Sequence, residues 1–373
     1  MQSLIKFFYL SLRRFLLKYA EPLLKLRNNC SNTQNVIPER ILFLRIDRIG
    51  DMVLSTPALQ ALKCSYPSSH LTVLASKSNK PILLHNPYVD EILLHNLDSV
   101  CKPLAFIKWL VSLRKKHYNI VIDPITGYDL KTAIIAYFVG ADLRIGFSGH
   151  GRESFFNRPV GKMDNDRHIL DLTLDLVRAI GCRNNSILPK VFLDPHEIDW
   201  AESWVKQYNH LNISLLGIHP GGYYETQRWP IEYYATLLQM LSSRNHKIVL
   251  FGGPADKELV CKITDLSCEN PLIFVGHDLR KTMALMSKLR LIICNNSGPL
   301  HIASALSLPT VSFMGPTNKV HWSPIGNQHT VLKVDGLECL GCEQGNCPKG
   351  SIDCMRRILP EEAFNAVNEM LNS

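Results

Sequence analysis

The stretch ILFLRIDRIGDMVLSTPAL, residues 41–59, decides how the rest of the chain is read. Its opening run, ILFLRI, is apolar except for Arg45 and is bounded by polar residues. Such a short run predicts a strand covered on both faces. Gly50 then permits a tight turn, and the apolar spacing beyond it predicts a helix over about residues 52–65. A buried strand that turns directly into a helix is the first half of a βαβ unit, from which parallel sheets are built.

Outward from this stretch the pattern repeats. LTVLAS (71–76), EILLHN (91–96) and NIVID (119–123) read as further strands, with helices over about 103–117 and 168–181. It then restarts with ISLLGIH (213–219), KIVLFGG (247–253), LIFVG (272–276), LIICNN (291–296) and PTVSFMG (309–315), each separated from the next by a helix-length segment. The 373 residues exceed what one core usually holds. They predict an α/β protein: a domain over 40–185, a proline-containing linker over 186–199 and a second domain over 200–373. Ligands of such sheets bind beyond the strand C-termini, so the functional residues belong at strand-to-helix turns.

Asp51 stands at or near the start of the first such helix. Its carboxylate, favoured by the helix N-terminus, could take a proton from a hydroxyl, or could simply cap the helix. In HPGGYYETQRWP (219–230), His219, Gly221 and Gly222 form a turn whose backbone N–H groups can approach an anion, with Arg228 close by. The alternative is a turn and nothing more. In LIICNNSGPLHIASAL (291–306), Asn296, Ser297, Gly298 and His301 lie where a strand passes into a helix N-terminus, a natural phosphate cradle or else an ordinary capped helix with a buried histidine. FGGPADKE (251–258) offers Asp256 and Glu258 either for ribose hydroxyls or as ordinary first-turn acids. No G-x-G-x-x-G follows a strand and no G-x-x-x-x-G-K-[ST] occurs, which excludes the dinucleotide and P-loop readings. The one D-x-D, Asp164–Asn165–Asp166, sits in a polar loop and reads as loop and cap.

The composition, 46% hydrophobic and 20% charged, is that of a globular protein. A net charge of +8 suits phosphates or anionic lipid. No basic run interleaved with aromatics occurs in the body of the chain, which argues against nucleic acid. Residues 1–29 are rich in Leu and Phe but interrupted by Lys6, Arg13, Arg14, Lys18, Lys25 and Arg27, too charged to span a bilayer. They predict a basic amphipathic helix, lying on an anionic membrane surface or packed on the protein itself, within an extension over 1–39. Eleven cysteines, seven of them scattered, suggest free thiols in a reducing, cytoplasmic compartment. The other four, Cys339, Cys342, Cys347 and Cys354, have the spacing C-x2-C-x4-C-x6-C. They could hold a structural zinc ion or iron–sulfur cluster, or remain thiols or disulfides.

Taken in order, LRIDRIGDMVLSTPAL, HPGGYYETQRWP, FGGPADKE, NNSGPLHIASALSLPTVSFMGPT and the cysteine segment followed by LPEEAF resemble glycosyltransferase family nine, the bacterial heptosyltransferases of lipopolysaccharide core synthesis. The similarity covers nearly all of residues 40–370. It implies a GT-B architecture, two Rossmann-like domains whose parallel sheets face across a cleft. It also implies inverting transfer, with no metal or other cofactor in catalysis, from an ADP-sugar such as ADP-heptose onto a membrane-anchored, lipid-linked glycan. The N-terminal domain would bind acceptor and the C-terminal domain donor. Asp51 matches the general base, and Ser297, Gly298 and His301 match diphosphate contacts. Glu258 is favoured slightly over Asp256 for the ribose. Arg45, Arg48, Lys131 and Arg144 are candidates for acceptor phosphates. The implied location is the cytoplasm, at the inner face of the cytoplasmic membrane. Two positions depart from the family pattern: Gln227 replaces a lysine, and Asn296 replaces an acid.

Overall fold

A computed structural model of the chain describes residues 38–95, 103–162, 164, 166–183, 188–208, 213–244 and 246–372. The segment expected to form an amphipathic helix, residues 1–29, lies outside these, as does the rest of the 1–39 extension up to residue 37.

Among the described residues twelve strands form two parallel sheets. The first contains β1 (Arg40–Arg45), β2 (His70–Ala75), β3 (Glu91–Leu94), β4 (Ile120–Asp123), β5 (Leu143–Ser148) and β6 (Arg158–Lys162), in the order β3-β2-β1-β4-β5-β6. The second contains β7 (Leu215–His219), β8 (Lys247–Gly252), β9 (Leu272–Val275), β10 (Leu291–Asn295), β11 (Thr310–Phe313) and β12 (His329–Leu332), in the order β12-β11-β10-β7-β8-β9. The two orders are the same one read from opposite edges. Each reverses direction where its first strand meets its fourth, β1 beside β4 and β7 beside β10. Ligands of doubly wound sheets gather at the strand C-termini beside this reversal.

The central strands form because nearly every side chain on them is covered. Ile41, Leu42, Phe43 and Leu44 are at most 1% exposed, and each contributes about 1.5–3 kcal/mol by leaving water. In the second sheet Trp229 stacks on Phe313 with ring centroids 4.3 Å apart, within a core that includes Ile218, Leu250 and Ile293. Three strands escape sequence patterning. β5 carries Arg144, which reads as exposed but is buried, with its guanidinium donating to the carbonyls of Ala141 and Phe155. β6 contains Pro159, and both β6 and β12 are edge strands.

The helix after β1 spans Ile49–Ser65 and contains Pro57. Proline cannot donate the backbone hydrogen bond due to the Val53 carbonyl. The Thr56 hydroxyl donates to that carbonyl instead, at 2.7 Å. Contacts divide the chain into two units at this same place. The first ends at Asp47 and resumes over Pro57–Asp164 and Leu170–Ile187. The second takes Arg48–Thr56, Asn165–Ile169 and everything from Leu188 onward. The helix Pro195–Tyr208 begins inside the segment expected to be linker.

Candidate active site

The second sheet brings two turns together. β7 and β10 pair in register, Cys294 opposite His219, so the glycine turn after His219 lies beside the Asn295–Gly298 turn. Asn295, fully buried, joins them. Its amide nitrogen donates to the carbonyls of Pro220 (2.8 Å) and Gly221 (3.1 Å), and its oxygen accepts the Trp229 N–H at 3.0 Å. A single side chain thus fixes both turns and the start of the segment that follows them.

Gly221 is needed there for space. A Cβ on it would lie 2.8 Å from both carboxylate oxygens of Asp256 and from a ring carbon of His219. Asp256 itself is held by the Gly253 N–H at 2.9 Å. Burial lowers the His219 pKa more than the Asp256 charge raises it, so the imidazole is neutral, and its buried Nδ1 has no partner among the described residues. Arg228 turns its guanidinium onto the same loop, donating from Nε and Nη2 to the Gly222 carbonyl at 3.1 and 2.9 Å. Its positive charge therefore stands at the glycine turn.

The helix Gly298–Ala305 starts at the other turn. Ser297 is its N-cap in an extended conformation and makes no side-chain cap bond; Pro299 has no N–H to offer. The amide end of this helix consequently remains electropositive. His301, in its first turn, is fully buried with Nδ1 unpartnered among the described residues. Burial first, then the nearby His168 and His329, lower its pKa to about 3. It therefore acts as a neutral ring and not as a cation.

The Asp51 turn packs on this one. A Cβ on Gly50 would come within 2.7 Å of the His301 ring, and one on Gly298 within 3.3 Å of Ile49. Two glycines thus allow backbone and ring to meet. Asp51 is the third residue of the Ile49–Ser65 helix and so not its cap. It is half-buried, with its own carbonyl accepting from the Ser55 hydroxyl at 2.8 Å. Arg48 stacks on the exposed ring of Tyr223, 3.8 Å from its centroid.

The cysteine segment buttresses the glycine turn from behind. Tyr224 packs where a Cβ on Gly345 would be, Thr226 donates to the Gln344 carbonyl at 2.8 Å, and Trp322 donates to Glu343 at 3.0 Å.

Comparison with known proteins shows which family the chain belongs to. Residues 107–352 match the model of Glycosyltransferase family 9 (heptosyltransferase). The chain belongs to glycosyltransferase family 9. It is therefore an enzyme, a glycosyltransferase. Among its curated relatives, lipooligosaccharide heptosyltransferase 2 of Campylobacter jejuni is 30% identical over 332 residues, 86% of this chain and 96% of that protein. Lipopolysaccharide heptosyltransferase 2 of Escherichia coli K12 is 26% identical over 353 residues, 89% of this chain and 98% of that protein. Among solved structures, E. coli ADP-heptose lps heptosyltransferase II superposes with a TM-score of 0.73 at 22% identity, covering 89% of this chain and 98% of that one. That likeness establishes the GT-B fold.

The family 9 residues expected from sequence divide into three groups. His219, Gly221, Gly222, Gln227, Arg228, Asn296, Ser297, Gly298, His301, Asp51 and Arg48 all lie in the second unit around the two turns. Gln227 and Asn296 spend their amide N–H groups on protein, Gln227 on the Thr317 hydroxyl (3.3 Å) and Asn296 on the Trp322 carbonyl (3.2 Å). Glu258 stands apart: its side chain is 80% exposed and paired with Lys262, one helical turn away, whereas Asp256 faces the glycine turn. Among the acceptor candidates Arg45 is only 1% exposed and bound to Asp47 and the Pro124 carbonyl, Arg144 supports β5, and Lys131 is exposed beside Asp129. Arg45 and Arg144 are thus framework cations. Sequence reasoning also missed a buried ion pair of Asp123, at the end of β4, with Arg152, which in turn bonds the Thr132 hydroxyl at 3.1 Å.

Of the alternatives open for the cysteine segment, the structure shows thiols. Cys339, Cys342, Cys347 and Cys354 are free thiols, and no group of three or more His, Cys, Asp or Glu among the described residues is placed to hold a metal ion. Cys354 sinks into the core beside Gly315, and burial together with the other three cysteines pushes its thiol up to about 11. In this structure the thiol is neutral and packs among apolar side chains. Cys347 instead receives backbone N–H groups from Ile352, Lys349, Gly350 and Ser351, which lower its pKa.

Proposed function

We propose that this enzyme transfers a heptose from ADP-heptose to a hydroxyl of a lipopolysaccharide-core or other lipid-linked glycan, with inversion and without a metal, at the cytoplasmic face of the membrane. The observation that carries this reading is the pairing of the two turns by Asn295, beside the uncapped helix start at Ser297. The curated relatives named above are lipooligosaccharide and lipopolysaccharide heptosyltransferases.

The chemistry follows from the groups present. Asp51 accepts the proton of the acceptor hydroxyl as that oxygen attacks the anomeric carbon. The bond from the anomeric carbon to the phosphate oxygen breaks with its electron pair, and ADP departs. Main-chain N–H groups at the start of the Gly298–Ala305 helix and the Arg228 guanidinium hold the diphosphate charge that develops. His219 and His301, both neutral, serve as hydrogen-bonding rings. We assign Asp256 to the ribose hydroxyls, and Arg48 and Lys131 each to phosphates of the acceptor.

A second reading, the same chemistry with another nucleotide sugar, is favoured by the engagement of Gln227 and Asn296 with protein partners. A thermal-shift screen of nucleotide sugars separates the two. At a concentration about 100-fold above its Kd the true donor adds roughly 2.7 kcal/mol to stability. ADP-heptose should do so, and Asp51→Ala should keep that shift while losing roughly 100- to 10,000-fold in transfer. Stabilisation by a different nucleotide sugar alone, or a fully active Asp51→Ala enzyme, would overturn the donor or the mechanism respectively.

A further inference from the structure

The helix Pro103–Arg114 belongs to the first unit, far in sequence from the site turns. Its inner face is ordinary. Leu110 and Leu113 are buried and Phe106 and Trp109 half-buried, packed on the core with Leu42, Leu44 and Val121. Its outer face is not. Leu104, Ile107 and Val111 are 76%, 54% and 46% exposed. Their spacing of three and four residues sets them in one stripe. Lys108, Arg114 and Lys115, also exposed, interleave with that stripe, and no Asp or Glu occurs between residues 103 and 117. The neighbouring Lys116 is set apart by its ion pair with Glu91 at 2.5 Å.

Large apolar side chains mixed with cations alone suit one kind of partner. The buried centre of a protein interface is depleted of lysine. An anionic lipid surface, by contrast, takes apolar side chains among its acyl chains while phosphate headgroups meet the cations. Lysine and arginine stems lie along the apolar layer and raise their charges to the headgroups. We propose that the outer face of the Pro103–Arg114 helix docks the enzyme on an anionic membrane, with Leu104, Ile107 and Val111 inserted and Lys108, Arg114 and Lys115 on the headgroups. This deepens the proposed function, since a lipid-linked acceptor lies in such a surface, and it assigns the contact to the folded body of the chain in addition to residues 1–29.

The full-length protein is mixed with vesicles of phosphatidylethanolamine and phosphatidylglycerol, or of phosphatidylcholine alone, and flotation is combined with amide hydrogen exchange. Exchange in residues 103–117 should slow on the anionic vesicles only. The variant Leu104→Glu/Ile107→Glu/Val111→Glu should lower partitioning roughly tenfold or more, and Lys108→Gln/Lys115→Gln roughly fivefold per charge removed. All these positions are exposed, and an unchanged thermal shift with the nucleotide sugar shows that fold and donor site survive. Unaltered partitioning of both variants, with exchange in 103–117 indifferent to vesicles, would overturn the proposal and assign binding to residues 1–29. Protection of 103–117 before vesicles are added would overturn it in favour of the chain covering its own helix. A variant that changes sedimentation instead of flotation would do so in favour of a second copy. Each of these failures leaves the transfer reading intact, whereas absence of any donor-induced shift in the parent protein tests that reading alone.

Discussion

The side-chain amide of Asn295 donates to the carbonyl oxygen of Gly221 at 3.1 Å, joining the ends of two neighbouring strands. The same side chain serves the Pro220 carbonyl and the Trp229 N–H, all away from water. Asn295→Ala should leave these groups unpaired and cost about 1–3 kcal/mol, with weaker donor binding as the glycine turn loosens. Asn295→Asp keeps the acceptor for Trp229 but loses both donors, and should damage donor binding comparably. Chemical denaturation and donor titration check this; a stable Asn295→Ala protein with unchanged donor affinity would refute the role.

Gly50→Ala is a sharper probe. In a helix this change normally stabilises by about 1 kcal/mol. Here the new Cβ would stand 2.7 Å from the buried His301 ring, so either the ring or the Asp51 turn must move. Lower Tm and lower kcat are expected, with partial recovery of Tm but not of kcat in Gly50→Ala/His301→Ala. A stabilised, fully active Gly50→Ala enzyme would show that the close approach is unimportant.

The buried histidines predict acid sensitivity. The pKa of His301 falls to about 3 on folding, from an unfolded value near 6.5. Between these values the unfolded chain binds the extra proton, so stability rises with pH there and is lost as pH falls below about 6.5. His219, His246 and His329 are lowered in the same direction by burial. Denaturation midpoints from pH 7.5 down to 4.5 should fall steadily, and less steeply in His301→Phe. A flat profile in the parent protein would contradict the neutral, buried state.

Asp256 and Glu258 separate cleanly by mutation. Asp256→Ala removes the carboxylate between His219 and Gly253 and should raise the donor KM at least several-fold. Glu258→Ala removes one exposed partner of Lys262 and should leave the kinetics unchanged. The reverse ranking in a steady-state assay would return the ribose to Glu258.

Much of this was legible from residue patterns, and the failures have physical causes. Both sheets could be traced from runs such as ILFLRI and LIICNN because parallel strands are covered on both faces and read as continuous apolar sequence. β5, β6 and β12 could not, because a buried Arg144, a strand proline and half-buried edge positions each break that pattern. Glycine turns announced where the site turns lie. Which side chain holds them did not, since Asn295 and Asn296 are chemically alike and only the strand direction decides which one points inward. The same limit applied to Asp256 against Glu258, two residues apart on one turn, and to Arg45, whose burial no local pattern reveals.

The site turns of the second sheet are held mainly through backbone atoms, with Asn295 and Arg228 both bonding carbonyls of the Pro220–Gly222 turn. Where recognition resides in main-chain groups, neighbouring side chains become interchangeable over evolutionary time so long as the turn keeps its shape. Gln227 and Asn296 then need no compensating change elsewhere. By the same logic, related enzymes are better compared by whether they keep the organising amide and the glycines it steadies than by the charges that flank them.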